Sequence, residues 1–205
     1  VLRCWRETWL PLRDAAGAIV GVTLSAEEIT EGKAQARRRD FLLRLEERLR
    51  AAGGAEAALD AACALLGQEV GATFVGLSRV EEDGVYGVVE NEWRAGDTPS
   101  LRRRRRLSDF GEGRLGPLLR GETVVVEDAR ADPRIPDPAG YVGNASLASI
   151  DVPLMRGGRM RALLFAADAR PRRWTADEVA LVEETARRAW EAAERARAEA
   201  ALRAS

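Results

Sequence analysis

Residues 148–168, ASIDVPLMRGGRMRALLFAAD, decide the fold of this 205-residue chain. Two apolar runs, 148–155 and 160–167, have the length and composition of single β-strands. Gly157-Gly158 lies between them, and paired glycines favour the tight turn of an antiparallel hairpin. The stretch therefore predicts a β-hairpin as part of a larger sheet.

More strand-like and helical segments lie on the N-terminal side of this hairpin. The further predicted strands are residues 73–80, 86–93, 101–107 and 122–127. A helix is predicted over 55–70, where the apolar side chains share one face, and another around 114–120. A sheet of about six antiparallel strands with helices on its faces is an α+β fold.

A long helix is predicted after the last strand. Thr175 and Glu178 have the spacing of a capping box, with Trp174 placed to pack on Val179. Small and apolar residues then recur at alternating spacings of three and four, as in a coiled-coil seam: Val179, Val182, Ala186, Ala189, Ala193, Ala196 and Ala200. We expect this seam to meet a second copy of the chain. The alternative is that it packs only against its own domain.

The N-terminal part of the chain carries a second pair of signals. Residues 5–24 contain two strand-like runs around the turn former Asp14-Ala15-Ala16-Gly17, which predicts a hairpin. A polar helix is predicted over 31–52, and its apolar positions again repeat at three and four: Leu42, Leu45, Leu49 and Ala52. Gly53-Gly54 then interrupts the chain.

Composition limits the partners and the setting. A formal net charge of -1 and a pI of about 5.8 favour neither nucleic acid nor anionic lipid as a partner. Two cysteines are too few for a disulfide framework, which favours a reducing, cytoplasmic location. No apolar run has the length of a membrane span, so we expect no membrane insertion. The first residue is Val, which suggests a fragment of a longer protein.

The residues that could do chemistry are few. Histidine is absent, which removes the usual general base and the commonest zinc and haem ligand. Asp109-Phe110-Gly111 matches a kinase magnesium loop in letters, but the accompanying kinase motifs are missing. The arginine run 102–106 is interpreted as a solvated edge strand, with phosphate binding as the alternative. Cys63 is interpreted as a core thiol. We predict no catalytic residue, no metal and no identified cofactor.

A resemblance to a known family covers roughly residues 40–200. Its motifs are LSDFG at 107–111, GETVVVED at 121–128, DPR at 132–134, SIDVPL at 149–154 and ARPRRWT at 169–175. They resemble the GAF domains of bacterial sensor histidine kinases, especially those of the HWE type. Residues 5–33 resemble the final hairpin of a PAS domain, with Glu28-Ile29-Thr30-Glu31 where that family usually has Asp-Ile-Thr-Glu.

The resemblance implies a sensory and signal-relaying module of a histidine kinase. It divides the chain into a PAS remnant (1–32), a linker helix (33–54), a GAF domain (55–174) and an exit helix (175–205). We expect a homodimer that passes its signal to a kinase domain of the same polypeptide, and to a response regulator only through that kinase. The predicted dimer contacts are Leu42, Leu45, Leu49, Val182, Ala186, Ala189, Ala193 and Ala196.

The resemblance also implies a pocket between one face of the sheet and the segments that cover it, 107–119 and 133–147. The aromatic residues expected near it are Phe74, Trp93, Phe110 and Tyr141, each with ordinary core packing as the alternative. A small-molecule ligand of unknown identity is possible there. Bilin, cyclic-nucleotide and methionine sulfoxide reductase signatures of the family are not found.

Three alternative functions stay open at this point. One is a cysteine-based redox protein that uses Cys63. Another is the sensor module of a cyclic-dinucleotide enzyme. The third is a monomeric module that binds a small metabolite.

Overall fold

A computed structural model describes residues 3–204 of the chain. The chain divides into two compact units, Val1–Phe41 and Leu42–Ser205, and the boundary lies within helix α1 (Thr30–Ala51). The four-part division predicted from the sequence places its boundaries elsewhere and stays a prediction. The last long helix belongs to the second unit, together with the sheet.

The first unit contains the predicted hairpin. Strands β1 (Trp5–Arg13) and β2 (Ile19–Glu28) pair antiparallel. In the turn, the Asp14 carboxylate accepts hydrogen bonds from the backbone N–H groups of Ala16 and Ala18, both at 2.9 Å. Such side-chain acceptors are what Asp supplies in turns. The hairpin is confirmed as structure, and its origin in a PAS domain stays a prediction.

The second unit is a six-stranded antiparallel sheet with helices. Its elements are α2 (Ala55–Val70), β3 (Phe74–Val80), β4 (Tyr86–Arg94), β5 (Arg104–Arg106), a 3-10 helix (Leu107–Phe110), α3 (Glu112–Leu119), β6 (Val124–Val126), α4 (Ala139–Val142), β7 (Ala148–Arg156), β8 (Arg159–Asp168) and α5 (Ala176–Ala204). The strand order is β5-β4-β3-β8-β7-β6. This confirms the predicted α+β class and the six strands.

The hairpin of β7 and β8 lies in the interior of the sheet. Gly157 and Gly158 have φ of 58° and 75°, and Arg156 pairs with Arg159 across them, as a two-residue turn requires. Strand β7 is buried over seven consecutive residues, so both of its faces are covered. Strand β8 pairs with β3 on its other side and carries the hairpin into the middle of the sheet.

The predicted strand 101–107 is shorter in the structure. Only Arg104–Arg106 join the sheet, and Leu107 begins the 3-10 helix. The preceding backbone is held by a side chain, because the N–H of Leu101 donates to the Glu92 carboxylate at 2.8 Å. Because this N–H donates to a side chain, the backbone at Leu101 does not join the strand ladder. The alternation of residue types could not indicate this hydrogen bond.

Helix α5 begins as predicted. The Thr175 N–H donates to Glu178 at 2.7 Å, and the Glu178 N–H donates to the Thr175 hydroxyl at 3.2 Å. These reciprocal bonds are the capping box. Trp174, just before the cap, is buried and its indole N–H donates to the carbonyl of Val126 at 3.3 Å. The helix is thereby attached to the sheet at its first turn.

The seam of α5 is occupied within the protomer. Helix α5 packs against α2 and strand β7, and four of its seam side chains are fully covered: Val182, Ala186, Ala189 and Ala193. Leu45 of α1 is fully covered as well. A residue with no exposed surface cannot contact a second copy, so five of the eight predicted dimer contacts are core positions here. Leu42, Leu49 and Ala196 are only half-buried. The small alanines serve close approach of α5 to its own domain.

The buried seam predicts a stability effect. Ala189→Glu places a carboxylate in the fully buried α5 seam and should lower the free energy of unfolding by about 3 kcal/mol or more. Ala198→Glu introduces the same residue at an exposed position of the same helix and should change the free energy of unfolding by less than about 0.5 kcal/mol. Urea unfolding followed by circular dichroism measures both. Equal effects would contradict the intramolecular packing of the seam.

Candidate functional site

A covered cavity of about 70 Å³ lies on the face of the sheet opposite α2. Its walls come from strands β3, β4, β5, β7 and β8 and from the segments that follow β5 and precede β7. The lining residues are Ser78, Gly87, Val89, Leu101, Arg105, Leu107, Phe110, Arg114, Tyr141, Asn144, Ser146, Ser149, Asp151, Leu163, Phe165 and Ala167. A volume of this size holds a few water molecules or a small ligand group.

Strand alternation explains the floor of the cavity. Ser149 and Asp151 of β7 pair with Ala167 and Phe165 of β8, and paired residues share one face of a sheet. All four line the cavity, while the residues between them point to the helices. The two polar residues of β7 thus enter the cavity from a strand that is otherwise apolar on this face.

The cover is formed by the two segments that the resemblance indicated. Residues 107–119 include the 3-10 helix and α3, and residues 133–147 include α4. Two glycines allow these segments to pack backbone to backbone. A Cβ on Gly113 would lie 2.8 Å from the carbonyl oxygen of Arg134, and a Cβ on Gly140 would lie 2.5 Å from that of Asp109. The cover is therefore a tightly packed layer.

An ion pair links this cover to the floor. The guanidinium of Arg114 on α3 donates from Nη2 and Nε to the two carboxylate oxygens of Asp151 on β7, at 2.7 and 3.0 Å. The Ser149 hydroxyl donates to the same carboxylate at 2.7 Å. Arg114 is 4% exposed and Asp151 2%. Buried charges require this degree of pairing, since an unpaired one is very costly.

The two predicted aromatics of the cover meet at the cavity. Phe110 and Tyr141 pack edge to face, with ring centroids 5.4 Å apart and an interplanar angle of 87°. The Tyr141 side chain is 2% exposed, and its hydroxyl has no hydrogen-bond partner among the described residues. Burial raises the pKa of Tyr141, so the hydroxyl keeps its proton and is available as a donor.

Arginines from the run 102–106 converge at the cavity. Arg105 lines it, and both Arg103 and Arg105 donate to the amide oxygen of Asn144. Residue 145, which follows, is an alanine with φ of 49°, in the left-handed region that non-glycine residues rarely adopt. The run was predicted to be a solvated edge strand. Side chains alternate along a strand, which places Arg103 and Arg105 on one side.

The four predicted ligand-binding residues separate into two groups. Phe110 and Tyr141 line the cavity. Phe74 lies on the same face of the sheet but packs behind Leu101 in the adjoining core. Trp93 lies on the opposite face, because it pairs with Val75 and its ring fills the space beside Gly67 of α2. A Cβ on Gly67 would come within 2.0 Å of that ring, so this packing depends on glycine.

Cys63 does not suit redox chemistry. Its side chain is fully buried on α2, and burial together with the nearby Asp60 carboxylate raises the pKa of the thiol to about 12. A thiol needs its thiolate form to react, and this setting disfavours it. Within residues 3–204, no group of three or more His, Cys, Asp or Glu side chains is placed to hold a metal ion.

Together, the antiparallel sheet, the helices on one face and the covered cavity on the other define an α+β domain built around an internal site. The family model of the GAF domain matches residues 54–193. The chain therefore belongs to the GAF domain family. No curated protein matches it. No helix in the described part of the chain has both the length and the apolar character of a membrane span.

Solved structures share this fold. The chain is 23% identical to the free methionine-R-sulfoxide reductase of Neisseria meningitidis, with a TM-score of 0.62, covering 80% of this chain and 93% of that one. The phycoerythrobilin-bound GAF domain of a cyanobacterial phytochrome is 18% identical, with a TM-score of 0.67 and coverage of 79% and 97%. The GAF domain of a phosphoenolpyruvate-protein phosphotransferase from Coxiella burnetii is 17% identical, with a TM-score of 0.65 and coverage of 81% and 98%.

The buried ion pair generates a prediction. Arg114→Met leaves Asp151 buried without its partner and should lower the free energy of unfolding by about 3–5 kcal/mol. Replacing both residues, as Arg114→Met with Asp151→Leu, removes both charges and should recover much of that loss. Urea unfolding at neutral pH measures the free energy of unfolding of the single and the double variant. A double variant as unstable as Arg114→Met alone would contradict this account of the ion pair.

The cysteines generate another prediction. In the folded chain at pH 8, iodoacetamide should label the half-buried Cys4 at least about 100-fold faster than Cys63, because the Cys63 thiol is inaccessible and its pKa is raised. In urea the two rates should become similar. Mass spectrometry of the peptides gives both rates. Rapid labelling of Cys63 in the folded chain would reopen the redox alternative.

Proposed function

We propose that this chain is a sensory module of a bacterial histidine kinase, which detects a small molecule in the cavity and relays its presence through α5. Membership of the GAF family supports the sensory role. The observation that carries the proposal is the covered cavity with its unpaired Tyr141 hydroxyl. A buried donor without a partner is unfavourable, and a ligand that accepts its hydrogen bond removes that cost.

The segment between the sheet and α5 supports a relay. Residues 169–175 connect β8 to the helix, and the Arg172 guanidinium donates to the carbonyl of Val70 at 2.6 Å and to the Glu178 carboxylate. The same guanidinium lies 4.2 Å from the centroid of the Trp174 ring. These contacts tie the first turn of α5 to α2 and β6. A shift of the sheet is therefore expected to move the root of the helix.

Strand β7 provides the connection from the cavity to that helix. Its Ser149 and Asp151 line the cavity, and other residues of the same strand pack against α5. A ligand that displaces the Arg114–Asp151 pair or the cover above it acts on this strand directly. Packed elements respond to such shifts by discrete movements rather than by gradual deformation.

The assembly belongs to the same proposal. The chain acts as a cytoplasmic homodimer that signals to a kinase domain of its own polypeptide, and the kinase acts on a response regulator. Since the α5 seam is buried, the dimer uses surfaces that remain exposed, including the half-buried Leu42, Leu49 and Ala196. The N-terminal hairpin, with Trp9 61% exposed, is the remnant of a PAS domain that supplies a second input.

The relay is tested by hydrogen exchange on the full 205-residue chain. A set of small carboxylates, amino acids, sugars and nucleosides is screened for compounds that raise the melting temperature. We expect a stabilising compound to change the exchange rates of α5 amides near its root. Stabilisation follows from preferential binding to the folded state, by about 2.7 kcal/mol at a ligand concentration 100 times Kd.

A matched pair of variants locates the binding. Val89→Phe fills the cavity and should abolish the stabilisation, whereas Val88→Phe, on the opposite face of the same strand, should keep it. A compound that binds in the cavity without altering exchange in α5 would refute the relay. If no compound in the set stabilises the chain, the sensory proposal fails at its first step.

A further inference from the structure

The arginine run at the cavity is paired unevenly. Arg104 forms two hydrogen bonds with the Glu81 carboxylate, at 2.8 and 2.7 Å, and Arg102 has Glu92 within 3.9 Å. Arg103 and Arg105 form no ion pair with a carboxylate in residues 3–204. Strand alternation separates them from Arg104, since residues two apart share a face.

Two positive charges therefore meet at one neutral acceptor. The guanidinium groups of Arg103 and Arg105 both donate to Oδ1 of Asn144, the former at 2.5 Å. Asn144 is 7% exposed, and Arg105 is half-buried. Burial and then repulsion from Arg103 lower the pKa of Arg105, while the exposed Asp109 acts weakly in the other direction. Two like charges without a carboxylate between them attract an anion.

The carboxylate that lines the cavity is already paired. Asp151 is taken by Arg114 and Ser149, so it cannot offset Arg105. The cavity thus carries an excess positive charge on its Arg105 side. Tyr141, which is 2% exposed, lines the cavity on the side of the cover, and its hydroxyl is unpaired among the described residues. Phe110 contacts the Tyr141 ring and has the Arg105 guanidinium 5.9 Å from its own centroid, so an apolar surface separates the two polar groups.

We infer that the cavity binds a small organic anion. Its negative group, a carboxylate or a phosphate, pairs with Arg105 and Arg103 in place of the Asn144 oxygen. A neutral carbonyl or ether oxygen of the same molecule accepts the hydrogen bond of Tyr141, and its short apolar body packs on Phe110. This inference rests on the proposed ligand-binding function and specifies the chemical class of the ligand. The cavity volume of about 70 Å³ limits it to a compact molecule.

The test uses probes that differ in one group at a time. Levulinate carries a carboxylate and a ketone, methyl levulinate lacks the charge, and pentanoate lacks the ketone. Chemical shift titrations of the 15N-labelled 205-residue chain give Kd for each. We expect levulinate to bind at least about tenfold more tightly than its ester and several-fold more tightly than pentanoate. Acetol phosphate carries a phosphate in place of the carboxylate. Comparing its Kd with that of levulinate shows which of the two anionic groups the site prefers.

The variants assign each preference to a residue. Arg105→Gln should abolish the preference for levulinate over its ester, and Arg105→Lys should retain part of it. Arg104→Gln, in the same strand but paired with Glu81 on the other face, is the control and should leave it unchanged. Tyr141→Phe should abolish the preference for levulinate over pentanoate. Because that hydroxyl is unpaired, its removal should not lower the stability of the free chain.

The outcomes separate this inference from the proposed function. An ester that binds as tightly as levulinate, levulinate binding unaffected by Arg105→Gln, or no binding of either levulinate or acetol phosphate at millimolar concentration overturns the anion assignment. If neutral compounds nevertheless bind in the cavity and alter exchange in α5, the sensory function survives. If levulinate binds as expected and α5 exchange does not change, the anion site stands and the relay fails.

Discussion

The buried pair of Arg114 and Asp151 is the interaction on which the rest of the second unit depends. It joins helix α3 of the cover to strand β7 of the floor, and both partners are almost completely removed from water. Neither charge could remain at this depth without the other. The position of the cover, and hence the existence of a covered cavity, follows from a contact with strict geometric requirements. The same strand touches α5, so this contact lies between the cavity and the long helix.

The two faces of the sheet serve different purposes because strand residues alternate. On one face, α5 packs on α2 and its Ala186 and Ala189 are fully buried, while Gly67 of α2 leaves room for the ring of Trp93 on β4. On the other face, Ser78, Ser149 and Asp151 are small or polar, which leaves hydrogen-bonding groups where larger apolar residues would have filled a core. The cavity is thus a consequence of small and polar residues at alternate strand positions.

Most of the architecture could be predicted from local signals. The two strands of the 148–168 hairpin, the Gly157-Gly158 turn and the capping box of Thr175 and Glu178 depend on neighbouring residues, and the structure contains all of them. The partner of the alanine seam was harder to predict, because a stripe at spacings of three and four indicates only that one face of a helix is covered. The stripe does not indicate whether that face packs on a second copy of the chain or on α2. Likewise, Trp93 could be placed on a strand but not assigned to a face, because the register shift in β4 is a property of the paired strands.

The buried seam also constrains how α5 can transmit a signal. Its first four turns are fixed to the domain by Leu181, Val182, Thr185 and the alanines at 186 and 189, whereas the last turns, from Ala198 onward, are exposed. A helix is stiff over this length, so a small rotation at its fixed part becomes a larger displacement at its exposed end. In the proposed relay, core residues of the domain would carry the movement, and the exposed far end of the helix would deliver it to a partner.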